Sequence, residues 1–474
     1  MSENNVPSSN DGVKPKEKKK TFPRTDSGNA ELFSQHYQEK LRYDHKHERW
    51  LTWREHWWAE DGVESVVQMA KNAARLRLQA SVNFGDDESR KKEQEWAKSS
   101  ESRAKIEAVL KLARSERLLA DPGSDWDSEA YLLGVMNGVV DLKAGQLRAG
   151  KQSDKITLHT DVAFDPEAKA PRWEQFIDEI FQGDDELIDY IHRAAGYAIT
   201  GATNEQCLFL CPGLGSNGKS TFLQTIHSAL GDYARNLPFS AFELRSRAAI
   251  PSEIAGLVGR RFVTAIETDE SAALNEARIK ALTGCDPITA RFLYGEWFTF
   301  SPVAKFWLAF NNKPQVTDDS HGFWRRVRLI PFDRQFRPEE ADQTLLATLR
   351  AELLGVLAWL VRGCLKWQAE GLEPPQRVQD NTEAYRVDSD PLADYLAEKC
   401  VFDPSARIDT GTLYIDYTEW AKANGEVILS KNAFSRRLQA RGLKKIRAGH
   451  YRTWTWLGIC RGIDVSAQKL KVAS

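Results

Sequence analysis

The chain has 474 residues, 28% of them charged and 42% hydrophobic, with a formal net charge of −2. That length suits about three domains with buried cores, and the balanced charge excludes a whole-chain field for nucleic acid, so any such contact comes from local patches. No apolar run reaches the length of a membrane span, no signal-peptide core opens the chain, and the six scattered cysteines suit a reducing cytoplasm.

Residues 1–24 are polar, with a basic cluster from Lys14 to Lys20, the composition of a disordered tail. Residues 25–170 read as an N-terminal α+β and helical domain. Its Trp50, Trp53, Trp57 and Trp58 lie among charges. Such a stretch can stack bases, but aromatic residues at this spacing more often build a core. Helical periodicity runs over 64–119, interrupted near Phe84. The turn dipeptides Asn137-Gly138 and Ala144-Gly145 separate short apolar runs, a hairpin-like arrangement. Residues 172–201 predict two amphipathic helices broken at Gly183.

The densest signal follows. An apolar run, Cys207–Cys211, leads into Gly213-Leu-Gly-Ser-Asn-Gly-Lys-Ser220, which fits G-x-x-x-x-G-K-[ST], and a helical stretch continues from Thr221. Glycines at 213, 215 and 218 let backbone N–H groups cradle phosphates, with Ser216, Asn217 and Thr221 completing the loop. Lys219 reaches the β- and γ-phosphates and the Ser220 hydroxyl ligates Mg²⁺. A second buried strand, 260–266, ends at Glu267, with Asp269 and Glu270 beyond. Acids at a strand's C-terminal edge can hold Mg²⁺ and the attacking water. A helix over 275–282, a hairpin over 288–300 turning at Gly295, a strand 305–310 ending at Asn311, and a fourth strand begun by Arg325 and Arg326 complete residues 171–372. Alternation of strands and helices predicts a parallel or mixed α/β sheet. Residues 337–370 are helical and 373–390 read as a polar linker. Over 391–474, Ser430 is a plausible N-cap for a helix bearing Arg436, Arg437 and Arg441, followed by a hairpin around Gly449 with Lys444, Lys445 and Arg447. This is the pattern of a duplex-binding winged helix-turn-helix, with Leu392, Tyr395, Phe434, Trp454 and Trp456 in its core; a solvated basic helix is the other reading.

Taken in order, GLGSNGKST, the strand ending at Glu267, KALTGCDPITARFLY, the strand ending at Asn311 and WRRVRLIPF resemble superfamily 3 helicases, specifically the helicase half of phage/plasmid and poxvirus-type primase-helicases. The stretches TDSGNAELF, RYDHKHERWLTW and NGVVDLKAGQL are similar to that family's N-terminal helicase-associated region, and the likeness covers roughly residues 25–460. The resemblance implies a P-loop, AAA+-like superfamily 3 ATPase core that uses ATP and Mg²⁺. Glu267 then matches the acid of the second motif, assisted by Asp269 or Glu270. Asn311 matches the polar sensor of the γ-phosphate. Arg326, fifteen positions beyond it, matches the arginine finger, with Arg325 the alternative. Lys280 matches a contact to nucleotide across the subunit interface. A ring, a hexamer by this likeness, is implied, with the hairpin carrying Arg291, Tyr294 and Trp297 facing single-stranded or forked DNA in its channel; a plain sheet extension is the other reading of that hairpin. Longer members place a primase domain ahead of this region. Only a short tail precedes it here, so primer synthesis is expected of a separate primase or polymerase. The expected function is an ATP-dependent replicative helicase of a phage, plasmid or integrated element in a bacterial host cytoplasm. An ATP-switched initiator that melts DNA without processive unwinding is the alternative, and a small-molecule kinase would leave Asn311 and Arg326 unexplained.

Overall fold

A computed structural model describes residues 21–244, 252–267, 273–316, 318, 320–390, 392–426, 428–448 and 453–462. The basic tail cluster, Asp269, Glu270 and the turn at Gly449 lie outside them. The chain divides into two units, residues 1–126 with 151–157, and residues 127–150 with 158–474.

In the first unit, Thr25 caps the helix Asp26–Tyr37 by accepting from the Gly28 N–H at 3.0 Å. Strands Leu41–Asp44, Arg49–Trp53, Trp58–Glu60 and Ala120–Asp121 form one sheet. The helices Ser65–Ala80, Asp87–Ser99 and Arg103–Ala113 carry the helical run, and Phe33, Leu41, Val66, Ile106 and Leu119 share a core. Trp58 is buried, with the rings of Trp53 and Trp126 at 5.2 and 5.9 Å. The run's strong charge is partly internal: buried Arg77 pairs with Glu93 and donates to the Asn29 amide oxygen at 2.8 Å. A buried guanidinium is tolerable only with such partners.

The second unit is organised on a five-stranded sheet: β1 (Leu208–Pro212), β2 (Ala234–Pro238), β3 (Phe262–Ile266), β4 (Lys305–Phe310) and β5 (Val327–Leu329). Every pairing is parallel, in the order β5-β1-β4-β3-β2. Phe209 and Cys211 face one core with Phe222, Phe262 and Trp307, while Leu208 and Leu210 face another with Val263, Phe306 and Leu308. Burial on both faces is why β1, β3 and β4 read as continuous apolar runs. The edge strand β2, Ala-Arg-Asn-Leu-Pro, buries only Ala234 and Leu237 and gives no such run.

Helices α1 (Pro171–Phe181), α2 (Asp185–Ala198), α3 (Lys219–Leu230), α4 (Glu276–Thr283) and α5 (Leu353–Glu370) surround the sheet. A Cβ on Gly196 of α2 would lie 2.1 Å from the backbone of Gly363 and Cys364 of α5, so glycine is required for this approach. No single helix among the described residues is long and apolar enough to cross a membrane. At the N-terminal edge of the sheet, buried Arg261 donates to the carbonyls of Ile199 at 2.9 Å and Leu132 at 2.8 Å. Beside it, buried Lys305 donates to Thr200 and, at 3.0 Å, to Val303; burial and the neighbouring Arg261 push its amine well down.

Within the expected linker, residues Gln376–Asp388 form a helix, α6. Its polar composition hides two anchors two turns apart, Val378 and Tyr385, each in a different core, and Arg377 pairs with Asp184 and Asp333 at 2.7 and 2.8 Å. Beyond it come α7 (Ala393–Lys399), β6 (Arg407–Asp409), α8 (Thr410–Asn424), α9 (Lys431–Ala440), β7 (Lys444–Ala448) and β8 (Thr453–Leu457), with an antiparallel sheet ordered β6-β8-β7. Ser430 caps α9, accepting from the Ala433 N–H at 3.3 Å. Leu392, Tyr395, Leu413, Tyr417, Phe434 and Trp456 share the core here. Trp454, expected among them, is 44% exposed.

Trp307 stacks on Phe209 at 4.2 Å and touches Phe222 and Phe262. Trp307→Ala should cost about 3–5 kcal/mol, read as an earlier urea midpoint for the second unit with the first unit's transition unmoved.

Candidate functional site

β1 ends at Pro212 and the chain turns through residues 213–218 into α3. Gly215, Ser216 and Gly218 take φ of 94°, 48° and 81°. At Gly218 a Cβ would lie 2.5 Å from Ile180 and 3.2 Å from Phe176 of α1, so no side chain fits. α3 begins at Lys219 without a side-chain cap, leaving its N-terminus suited to an anion. Lys219 is 6% exposed; its amine bonds the Gly213 carbonyl, and burial lowers its pKa. Buried Asn217 donates to the Phe332 carbonyl at 3.3 Å, and the Phe336 N–H to the Ser216 carbonyl at 2.8 Å, tying the loop to the segment after β5. Ser220 is exposed and Thr221 half-buried.

Two more of the sequence-derived residues lie on adjacent strand ends. The Gly213 N–H donates to the Phe310 carbonyl at 3.1 Å, and the Glu267 N–H to that of Ala309 at 2.9 Å. Parallel pairing therefore sets the loop, Asn311 and Glu267 side by side along the C-terminal edge of β1, β4 and β3. The Glu267 carboxylate and Ser220 hydroxyl are the hard oxygen donors Mg²⁺ takes, and that ion usually completes its shell with phosphate and water. Among the described residues no cluster of three His, Cys, Asp or Glu could hold a metal by itself.

Lys280, on α4, pairs with the Asp318 carboxylate at 2.7 Å. Asp318 also accepts from the Ser320 N–H at 2.9 Å, and its carbonyl takes the Trp324 indole N–H at 2.8 Å. Burial pushes the Asp318 carboxyl up, but the Lys280 and Ser320 bonds outweigh it and hold the group below its ordinary value. No sequence motif marks Asp318. Arg325 and Arg326 sit at the opposite edge of the sheet: they precede β5, and the Arg326 carbonyl accepts from the Leu208 N–H at 2.8 Å. Arg326 donates to the Gly322 carbonyl and Arg325 to Gln206 at 2.6 Å. At ~3.3 Å per strand residue they lie on the order of 15 Å from the loop of their own chain.

The hairpin pairs Ile288–Ala290 with Phe298–Phe300. Its turn carries Phe292, Leu293 and Tyr294, all exposed, Tyr294 at 98% with φ 62°, and Arg291 lies 4.7 Å over the ring of half-exposed Trp297. On α9, the expected DNA contacts divide. Arg436 is exposed, but Arg437 is buried 3.6 Å from Asp390, and Arg441 pairs with the same carboxylate. Arg437 lies on the inward face of α9, and Arg441, the exposed C-cap residue one turn on, reaches the same carboxylate from outside. On the β7–β8 hairpin Lys444 and Arg447 are exposed and Lys445 half-buried. Lys445 and Arg447 lie 5.4 and 5.2 Å from the Trp454 ring. Beside the glycine loop a cavity of about 540 Å³ is lined by Phe176, Ser216, Gly218, Thr221, Phe336 and Leu345, among others. Neither aromatic wall lies in a recognisable motif.

Fold and site thus define a mixed α/β protein with a glycine loop at the edge of a parallel sheet. Residues 30–182 match the family described as D5 N terminal like, 387–454 the poxvirus D5 protein-like family, and 211–326 a family of unknown function, DUF5906. The helicase-named protein L207/L206 of Acanthamoeba polyphaga mimivirus is 29% identical over 323 residues, 63% of this chain and 34% of that protein. The helicase-named 022R of Frog virus 3 is 25% identical over 252 residues, 49% and 26% of the two chains. The primase-named C962R of African swine fever virus is 25% identical over 326 residues, 63% and 34%. The chain spans about a quarter to a third of the length of these relatives. The apo C-terminal region of NrS-1 aligns with 9% identity and a TM-score of 0.49, over 90% of this chain and 98% of that one. The chain is therefore similar, in its N-terminal and C-terminal regions alike, to the poxvirus-type D5 helicase and primase group that its motif order resembles.

Lys219→Ala should weaken ATP binding about tenfold or more, the loss of a charge-assisted bond. Glu267→Gln should leave binding nearly intact and slow turnover about 10²-fold or more. Calorimetry and phosphate release separate the two, and normal turnover in Glu267→Gln would remove that residue from the chemistry. Burial lowers the Lys219 amine and phosphate would raise it, so triphosphate binding at alkaline pH should take up protons. Calorimetry in buffers of different ionisation heat measures this uptake, which Lys219→Met should abolish.

Proposed function

We propose that this chain is an ATP-driven DNA helicase of the superfamily 3 type, acting as a ring with ATP between subunits. The observation that carries the reading is the arrangement of the sheet: loop, Asn311 and Glu267 on three adjacent strand ends, with Arg325 and Arg326 at the far edge. The all-parallel order β5-β1-β4-β3-β2, with the glycine loop leaving β1 between β5 and β4, supports a P-loop ATPase core.

In this reading Lys219 neutralises the β- and γ-phosphates, and Ser220 and Glu267 would hold Mg²⁺, which would supply further positive charge there. Glu267 accepts a proton from the attacking water, and Asn311 orients it. Arg326 cannot reach its own loop across a strand's length, so it serves the neighbour's γ-phosphate. Lys280 would exchange Asp318 for the neighbour's nucleotide. The hairpin offers the channel apolar rings and one arginine, a surface for stacking on single-stranded bases. The order α7-β6-α8-α9-β7-β8 suits a winged helix, and because Arg437 and Arg441 face Asp390, its DNA surface shifts toward Arg436 and the β7–β8 wing. A second reading, an ATP-switched initiator, is favoured by the scarcity of cations at the hairpin tip. Strand separation on a forked duplex, absent in the initiator, decides between them.

Arg326→Ala should bind ATP but fail to hydrolyse it, and mixing with Lys219→Ala should restore activity above the sum of the two parents. Proven co-assembly without such recovery would place the arginine's action in cis. For the wing, Lys444→Ala with Arg447→Ala should reduce duplex affinity and flatten its salt dependence by about 0.9 for each phosphate no longer neutralised. Basal ATP hydrolysis should be unchanged, and an unaltered salt slope would move the duplex surface elsewhere.

A further inference from the structure

Resting on the reading of the glycine loop as a nucleotide site, we propose that the adjoining cavity receives the purine nucleoside of that nucleotide, with Phe336 stacking on the base. The cavity begins where the loop ends, since Ser216 and Gly218 of the loop and Thr221 in the first turn of α3 line it. A nucleotide with its phosphates on the loop has its sugar and base one ester bond farther, at these residues. Its volume, about 540 Å³, falls within the range of small-molecule sites.

The walls are aromatic and held in place. Phe176, 1% exposed, abuts Gly218 from α1. Phe336 is half-buried, and its N–H is fixed to the Ser216 carbonyl. Arg334 lies 5.1 Å from its ring centre and is itself held by Glu340 at 2.9 Å, while the Arg337 N–H donates to the same carboxylate at 2.8 Å. Charge selects the occupant. The lining sets Arg172, paired with Glu179 at 3.3 Å, and Arg337 against Glu179, Glu340 and Asp342, so its carboxylates outnumber its cations. A flat, uncharged base suits such a chamber better than a further anion. Stacking grows with ring area, which favours purines over pyrimidines.

The test compares nucleotide with bare phosphate on the full chain. Calorimetry with non-hydrolysable analogues of ATP, GTP and CTP, and with inorganic tripolyphosphate, should rank ATP and GTP above CTP, and all above tripolyphosphate. Phe336→Ala should weaken the purine analogues roughly tenfold and leave tripolyphosphate within about twofold, while Phe336→Trp should retain purine affinity. Tripolyphosphate binding as tight as ATP in the wild type would overturn the subsite and leave the phosphate loop standing. Equal loss of both ligands in Phe336→Ala, or no loss of purine affinity, would also overturn it. If the wild type binds neither ligand, the loop reading falls and the subsite falls with it.

Discussion

Parallel pairing of β1, β4 and β3 is the constraint on which the candidate site depends. In an antiparallel sheet Gly213, Asn311 and Glu267 would emerge at alternating edges; here all three emerge at one. The parallel arrangement demands crossovers over both faces, and the two cores supply them, one with α1, α2, α3 and α5, the other with Phe242, Ile279 and Tyr385. The apolar strands and the polar edge are two aspects of one topology.

The loop's fit is similarly determined by what lies behind it. Gly218 touches α1, Asn217 reaches Phe332, and Ser216 is bonded by Phe336, so elements before β1 and after β5 both hold the turn. A glycine-rich stretch alone would be pliable. This one is clamped from both sides, which lowers the ordering cost of receiving a ligand.

Much of this was legible in the sequence, for local reasons. The loop, β1, β3 and β4 announce themselves because two-sided burial and the glycine spacing are written into consecutive residues. The break between α1 and α2 at Gly183 and the Ser430 cap are equally local. What escaped depends on partners distant in the chain. β2 is an edge strand with Arg235 and Asn236 exposed, so nothing distinguishes it from a loop until Phe262–Ile266 pairs with it. α6 looks like a linker because two anchors among thirteen residues make no periodic pattern. Arg437 resembles its exposed neighbour Arg436 until Asp390 is brought alongside, and Lys280 shows no sign of Asp318. Trp454 shares the period of buried Trp456 but lies farther out along the hairpin, past the end of the core.

The far edge of the sheet has a different character from the edge that carries the loop. There the Arg261 N–H bonds the Tyr233 carbonyl at 2.8 Å and the Lys305 N–H that of Arg261 at 2.7 Å, while both side chains reach carbonyls at the end of α2. Local fraying at this edge would strip the buried Arg261 guanidinium and Lys305 amine of their carbonyl acceptors. Partial opening is therefore disfavoured, and the edge separates only when the whole sheet does, as part of its most protected cooperative block.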